Sequence, residues 1–404
     1  MSWLSLVGIG EDGVAGLGEV ARARIAGAEF VFGGRRHLDL VAGLATGMLE
    51  PWQNPIARSV ERIAGLSGRK VCVLASGDPF WFGIGATLVR TLPPADMQVF
   101  PAPSAFSLAA ARLGWPLQDI FAVSAHGRPV RSIVPHLSPG ARLLVLTSDG
   151  NGPSEIGRLL TETGFGDSAL SVLEALGGPK ERIVTTTAQN ISGRFADLNL
   201  VAIAVRAAPD ARILGLAPGR DESLFAHDGQ ISKTWARALT LAALSPRTGE
   251  LLWDIGAGSG AVAIEWLLAG RDLRAVAVEA DPTRAARIGE NAERFGVPQL
   301  AVIAGRAPEA LSGLEAPDAV FIGGGGSQPG VMASTIAALK PGGRLVANAV
   351  TLEMEAMLLE HHASLGGSLE RFTRAAAEPV GSMTGWRPAM PLTQWRWLKP
   401  AGSS

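Results

Sequence analysis

Tyrosine is absent from this chain, cysteine occurs once, and no apolar run comes near the roughly 18 residues that a membrane-crossing helix needs. The single Cys72 rules out an internal disulfide, and there is no cysteine cluster for a thiolate zinc centre; no metal is expected in this protein. Neither charge sign prevails: 36 Lys and Arg against 37 Asp and Glu give a formal charge of −1, and no global field draws nucleic acid. The first residues, Met1-Ser2-Trp3-Leu4, lack the positive n-region of a signal peptide. The expectation is a soluble cytoplasmic protein with neither a membrane nor a nucleic-acid partner. The lack of tyrosine beside ten tryptophans excludes nothing by itself.

What is present is length, apolar mass and glycine. A chain of 404 residues, 47% of them apolar, is too long for one small core and calls for two or three domains. The most informative stretch is Leu251-Leu252-Trp253-Asp254-Ile255-Gly256-Ala257-Gly258-Ser259-Gly260, followed by an apolar-periodic run from 261 to 269. An apolar pentad, a loop with glycine at every second position and a helix make a unit in which backbone N–H groups can approach a ligand closely. Read as Gly256-x-Gly258-x-x-Ala261, it also fits a dinucleotide fingerprint. Two acids narrow the reading, the first of them disfavouring a nicotinamide site. Asp254 stands where such a strand is normally apolar, and Glu279 ends the run Ala275-Val276-Ala277-Val278 at the spacing where an acid meets a ribose diol. Together they resemble the S-adenosylmethionine (SAM) site of Rossmann-like (class I) methyltransferases.

From the start of the chain the grammar is strand, glycine or polar turn, then helix, which predicts an α/β protein. Strands over 4–7, 30–32, 70–75 and 97–100 end at Gly8-Ile9-Gly10, Gly33-Gly34, Ser76-Gly77-Asp78-Pro79 and Pro101-Ala102-Pro103-Ser104. Ligands of parallel sheets bind beyond the carboxyl ends of strands, so the first, third and fourth of these turns should converge. From Ile120 onward strands follow one another with fewer helices, and a mixed sheet is expected. Val7-Gly8-Ile9-Gly10, Ser76-Gly77-Asp78-Pro79, Pro101-Ala102-Pro103-Ser104-Ala105 and Leu146-Thr147-Ser148-Asp149 stand in the order found in tetrapyrrole (corrin and porphyrin) methylases, and residues 1–206 resemble that two-lobed fold. The resemblance implies SAM held in the interlobe cleft by Gly8, Gly10, Gly77, Asp78, Pro79, Ala102 and Ser104. Glu11-Asp12 departs from the family pattern; an acid pair there shapes the fold or faces the cationic sulfonium.

Residues 207–230 carry Pro209, Pro218, Gly215, Gly219 and Gly229 without periodicity and read as a linker and lead-in. Residues 231–404 then alternate strand and helix regularly, with candidate edge strands at 369–376 and 394–398. Gly229-Gln230-Ile231-Ser232-Lys233, the 254–260 loop, Gly305-Arg306-Ala307-Pro308-Glu309-Ala310 and Phe321-Ile322-Gly323-Gly324-Gly325-Gly326 resemble the precorrin decarboxylating methylase domain. The whole chain is therefore similar to the bifunctional precorrin-6Y methyltransferases of cobalamin biosynthesis. That resemblance implies methylation of a precorrin (6B/6Y) at carbons 5 and 15, removal of the ring C acetate carboxylate, precorrin-8 as product, and two SAM sites.

By the same resemblance Ser232, Gly256, Ala257, Gly258, Ser259, Gly260, Glu279 and Ala307 bind SAM in the second domain, while Lys233, Gly323, Gly324, Gly325 and Arg128 contact substrate. Arg306 stands where an aspartate often faces the adenine. Asp254 is expected to orient the glycine loop. A precorrin carries many carboxylates, which adds Arg35, Arg36 and Arg131 as candidates, each equally readable as a solvated charge. His126 reads as a proton carrier or a structural histidine. His361-His362 cannot share one helix face, which argues against a metal site there. A small-molecule tetrapyrrole partner and a homo-oligomer of unspecified size are expected. A methyltransferase on another tetrapyrrole without decarboxylation, and a non-catalytic SAM or tetrapyrrole binder, stay open.

Overall fold

Short buried runs rich in Val, Leu and Ile become parallel strands wherever glycine turns and helices separate them. The computed structural model describes residues 2–401. It contains two compact units, the first ending at Ala211 and the second beginning at Arg212.

In the first unit, β1 (Leu4–Ile9), β2 (Phe30–Gly33), β3 (Met48–Pro51), β4 (Val71–Ser76) and β5 (Met97–Phe100) form an all-parallel sheet in the order β3-β2-β4-β1-β5. All six residues of β1 are buried, as a central strand covered on both faces requires. Because β1 pairs with β4 on one side and β5 on the other, the three turns that follow these strands emerge side by side. A second sheet holds β6 (Phe121–Ser124), β7 (Arg142–Leu146), β8 (Ala169–Glu174), β9 (Arg182–Thr187) and β10 (Asn199–Ala204) in the order β6-β7-β10-β8-β9. Only β6–β7 is parallel, so this sheet is mixed, as its sequence pattern predicts. The Ala105–Leu113 helix buries Phe106 and Ala109 in a core shared with Leu144, Leu173 and Leu200.

The second unit is one seven-stranded sheet of order β13-β12-β11-β14-β15-β19-β16, built from β11 (Leu251–Ile255), β12 (Arg274–Glu279), β13 (Ala301–Ala304), β14 (Ala319–Ile322), β15 (Arg344–Ala349), β16 (Ser368–Phe372) and β19 (Leu392–Leu398). The first five strands are parallel and β19 enters antiparallel against β15. Trp253, Trp395, Val320, Ile322 and Leu358 are buried together in its core. The sequence reading of one edge strand over 369–376 needs correction. The run splits: β16 pairs with β19, whereas β17 (Ala375–Val380) leaves the sheet to pair with β18 (Met383–Pro388) in a separate hairpin. Three consecutive alanines at 375–377 offer too little apolar surface to stay in the core, and both hairpin strands are largely exposed.

The stretch read as a linker also proves different. From Arg212 on it packs within the second unit: Phe225 is buried and stacks on Phe295 at 4.3 Å, and Gly219 and Arg220 donate their N–H groups to Glu265 at 2.6 and 2.9 Å.

Candidate functional site

In the second unit the loop after β11 lies between the ends of β12 and β14, its two sheet neighbours. Gly256, Gly258 and Gly260 all have left-handed φ (66°, 61° and 75°), which β-carbons tolerate poorly. Two of them serve the chain's own packing. A Cβ on Gly256 would lie 2.3 Å from the Gly324 carbonyl oxygen, and one on Gly260 would lie 2.6 Å from Ile288 Cγ2. Gly258 is less crowded, with Gln230 O as its nearest neighbour at 3.2 Å. Gly323 packs against the Phe321 ring and Gly324 against Gly256, while Gly325 faces open space. The structure thus brings together the 256–260 and 323–325 loops.

Glu279, 6% exposed, ties this edge of the sheet together. Its Oε2 accepts the Gly258 N–H at 2.8 Å, its Oε1 accepts the Asp281 N–H at 2.9 Å, and its backbone oxygen accepts the Gly305 N–H at 2.9 Å. An ionised carboxylate has about four acceptor positions, so each oxygen keeps one for a ligand hydroxyl. A carboxylate so disposed beside the uncrowded Gly258 fits the diol of a nucleoside. Ala307 follows β13, the strand beside β12, so the 305–308 turn closes the same edge.

Asp254 makes no direct hydrogen bond to the glycine loop among the described residues. Its Oδ2 accepts the Ala263 N–H at 3.0 Å, so it satisfies the first turn of the following helix, and its buried Oδ1 has no hydrogen-bond partner among the described residues. Burial, with a smaller contribution from the Glu279 charge, pushes its carboxyl up to about 7. Lys233, expected at substrate, donates to Glu222 at 2.8 Å, and the Ser232 carbonyl accepts from Arg237 Nη1.

In the first unit the three turns are bonded into one cluster. Ala102 N–H donates to Gly77 O at 3.3 Å, and Gly77 N–H donates to Ile9 O at 3.2 Å. A Cβ on Gly8 would fall 1.8 Å from Gly77 O and 2.7 Å from Ala102 N, and one on Gly77 would fall 2.7 Å from Ser104 Cα. The close approach belongs to Gly8, not to Gly10, whose Cβ would meet only the Asp12 side chain, at 2.7 Å. Asp78 Oδ1 accepts the Phe80 N–H at 2.8 Å, Pro79 O accepts the Gly85 N–H at 2.8 Å, and Ser104 caps the Ala105–Leu113 helix. Glu11 does not offer a free charge to a sulfonium: it forms an ion pair with Arg36. Arg36 Nη2 also donates to Ser76 Oγ at 3.0 Å, which removes it from the unengaged arginines. His37, beside Ser76 at 2.9 Å, is held down to about 4 by burial and by Arg36. Arg35, Arg128 and His126 are exposed and Arg131 is half-buried; His126 Nδ1 lies 3.4 Å from Thr147 O. His361 stacks on Trp395, and among the described residues no group of three His, Cys, Asp or Glu is placed to hold a metal.

Residues 4–192 match the tetrapyrrole (corrin/porphyrin) methylases, and residues 223–399 match the precorrin methyltransferase domain. A precorrin-6Y C(5,15)-methyltransferase (decarboxylating) of a Sinorhizobium species is 59% identical over 98% of this chain and 96% of its own. The chain belongs to the precorrin-6Y C(5,15)-methyltransferase family. A second precorrin-6Y methyltransferase, from Mycobacterium tuberculosis (strain CDC 1551 / Oshkosh), is 44% identical over 96% of this chain and 98% of its own. The solved C-terminal domain of the Rhodobacter capsulatus precorrin-6Y C5,15-methyltransferase shares 51% identity, covering 46% of this chain and all of that one, with a TM-score of 0.44.

For a precorrin-6Y methyltransferase, SAM is the methyl donor that the family implies. Sequence reasoning missed four side chains around the strand ends. Asn291 and the buried pair Arg237–Glu265 hold the lead-in and the glycine loop, and His37 sits beside the first-unit cluster. Only Glu265 and Asn291 left a trace, the first as the one charged residue of an apolar helix and the second as a polar residue next to the buried Ile288 and Ala292, beside the stripe of Arg284 and Arg287.

Proposed function

We propose that this chain transfers methyl groups from SAM to carbons 5 and 15 of a precorrin and removes the carboxylate of the ring C acetate, with one SAM site in each unit. The likeness along the whole chain to the Sinorhizobium methyltransferase carries this reading. A glycine-built cluster at strand ends in each unit supports it. Shorter relatives add weight to a division of labour. The cobalt-precorrin-6B C(15)-methyltransferase (decarboxylating) and the cobalt-precorrin-7 C(5)-methyltransferase of Salmonella typhimurium are matched by 40% and 45% of this chain, over 85% and 88% of their own lengths.

SAM supplies an electrophilic methyl group, and an electron-rich carbon of the reduced macrocycle is the nucleophile, so no activated serine or cysteine is required. The protein contributes orientation and exclusion of water. Glu279 holds the ribose hydroxyls with its remaining lone pairs, and Gly258 and Ser259 line the amino-acid end. Ser232 and Ala307 flank the cofactor, and Lys233, Arg128 and the 323–325 loop receive substrate. In the first unit Gly8, Gly10, Gly77, Asp78, Pro79, Ala102 and Ser104 shape the second site. Decarboxylation uses the macrocycle as its electron sink. The test is mass spectrometry of the product formed from a precorrin-6 substrate and labelled SAM. Two labelled methyls and the loss of one carbon dioxide are expected; a methylated product that keeps every carboxylate refutes the decarboxylation.

A further inference from the structure

We infer that residues 226–230 form a strap across the glycine loop of the second unit, clamped by one face of the Pro282–Arg294 helix, and that this clamp sets the rate of cofactor exchange. The inference rests on the reading of the 256–260 loop as a SAM site. Arg284, Arg287 and Asn291 are spaced three and four apart, so they share a stripe of that helix. All three reach the lead-in. Asn291 is fully buried: its Oδ1 accepts the Ala226 N–H at 2.8 Å, and its Nδ2 donates to Ala226 O and to Ser259 O, both at 2.9 Å. One amide therefore joins the strap to the cofactor loop. Two residues on, Asp228 Oδ2 is met by Arg284 Nε at 2.9 Å and by Arg287 Nη1 at 3.1 Å, while Oδ1 accepts the Gln230 N–H at 3.1 Å. Gln230 O in turn is the nearest neighbour of the position a Cβ would take on Gly258.

The two attachments differ in kind. The Asn291 bonds are buried and shielded from water, and breaking them leaves unsatisfied polar groups. The Asp228 pairs are partly exposed, which makes each of them weak and sensitive to salt. Between Asp228 and Gln230 stands Gly229, with φ 96° and open space at its Cβ position; its N–H donates to His227 Nδ1 at 3.1 Å and its carbonyl accepts the Ile231 N–H at 3.2 Å, so its backbone is tied only to residues at either end of the strap. This is an anchored hinge at Ala226 with a releasable latch at Asp228. Asn291 is a positioning residue for Ser259, and Asp228 is the latch.

The experiment is stopped-flow release of S-adenosylhomocysteine from the full chain at low and high salt. The phase that Glu279→Ala abolishes identifies the second-unit site. In the wild type this phase should quicken as salt rises. In Asp228→Asn it should already be faster by about fivefold at low salt and respond little to salt, with the on-rate raised as well, so that affinity changes less than either rate. Asn291→Asp, which keeps the shape and removes both donors, should weaken affinity instead. A wild-type phase indifferent to salt, or an Asp228→Asn phase equal to the wild type, overturns the latch. If Glu279→Ala abolishes no phase, the cofactor reading itself is wrong and the strap falls with it.

Discussion

Asp254 concentrates the physical tension of the second unit in one carboxyl group. It is 1% exposed, one oxygen is bonded to Ala263 N–H, the other has no hydrogen-bond partner among the described residues, and its folded-state carboxyl is pushed up to about 7 by burial. The unfolded chain releases this proton near 4, so between about pH 4 and 7 the folded state binds more protons than the unfolded one. Stability from this group is therefore complete below pH 4, declines between about pH 4 and 7 and levels off above that, by an amount on the order of 4 kcal/mol. Asp254→Asn keeps an acceptor for Ala263 and cannot ionise. Its melting temperature, measured relative to the wild type from pH 5 to 8, should improve up to about pH 7 and then level off; a difference that is flat across that range refutes the assignment. The residue's oddity was legible in the sequence, because an acid interrupted an apolar strand. Its partner was not, since a side-chain bond to a backbone N–H nine residues later leaves no compositional trace. Glu279 shows the same limit: its spacing announced an acid at a strand end, but not that both oxygens already hold backbone N–H groups.

At the scale of elements, the strand–turn–helix grammar was readable wherever burial was strong. Val71–Ser76, Met97–Phe100 and Leu251–Ile255 lie within a residue of where periodicity puts them. Met48–Pro51 and the β17–β18 hairpin were not readable, because their residues are mostly exposed and impose no apolar pattern. The convergence of the three first-unit turns follows from strand order alone, yet which glycine carries the close approach is set by three-dimensional packing that leaves no mark on the sequence. A methyl on Gly8 collides with the backbone of Gly77 and Ala102, and β1 cannot move without breaking its ladders to β4 and β5. A methyl on Gly10 meets only the end of the Asp12 side chain. Gly8→Ala should therefore cost about 3 kcal/mol or prevent folding of the first unit, and Gly10→Ala should cost less than about 1 kcal/mol. Urea denaturation followed by circular dichroism separates them, and equal losses would contradict the packing argument.

For the whole molecule the question is whether the two activities part along the chain, and the packing of the lead-in says where to cut. Each unit has its own sheets and buried clusters, and both lengths fall within the usual range of roughly 50–250 residues for one domain. We propose that a fragment beginning at Arg212 folds alone, methylates carbon 15 and removes the acetate carboxylate, and that a fragment ending at Ala211 adds the methyl at carbon 5 to that product. A cut at 221 is a different experiment. It deletes the Gly219 and Arg220 N–H groups that Glu265 accepts, and the Arg220 carbonyl that Arg237 Nη2 bonds, leaving part of a fully buried ion pair unsatisfied. The shorter fragment should be less stable by on the order of 2–4 kcal/mol while keeping every residue assigned to cofactor and substrate. Incubated with precorrin substrate and labelled SAM, the Arg212 fragment should yield one methyl gained and one carbon dioxide lost, and adding the first fragment should supply the second methyl. A doubly methylated product from the Arg212 fragment alone would end this division of labour, and equal melting temperatures for the two cuts would show that the Gly219 and Arg220 bonds to the Glu265 network contribute nothing to the fold.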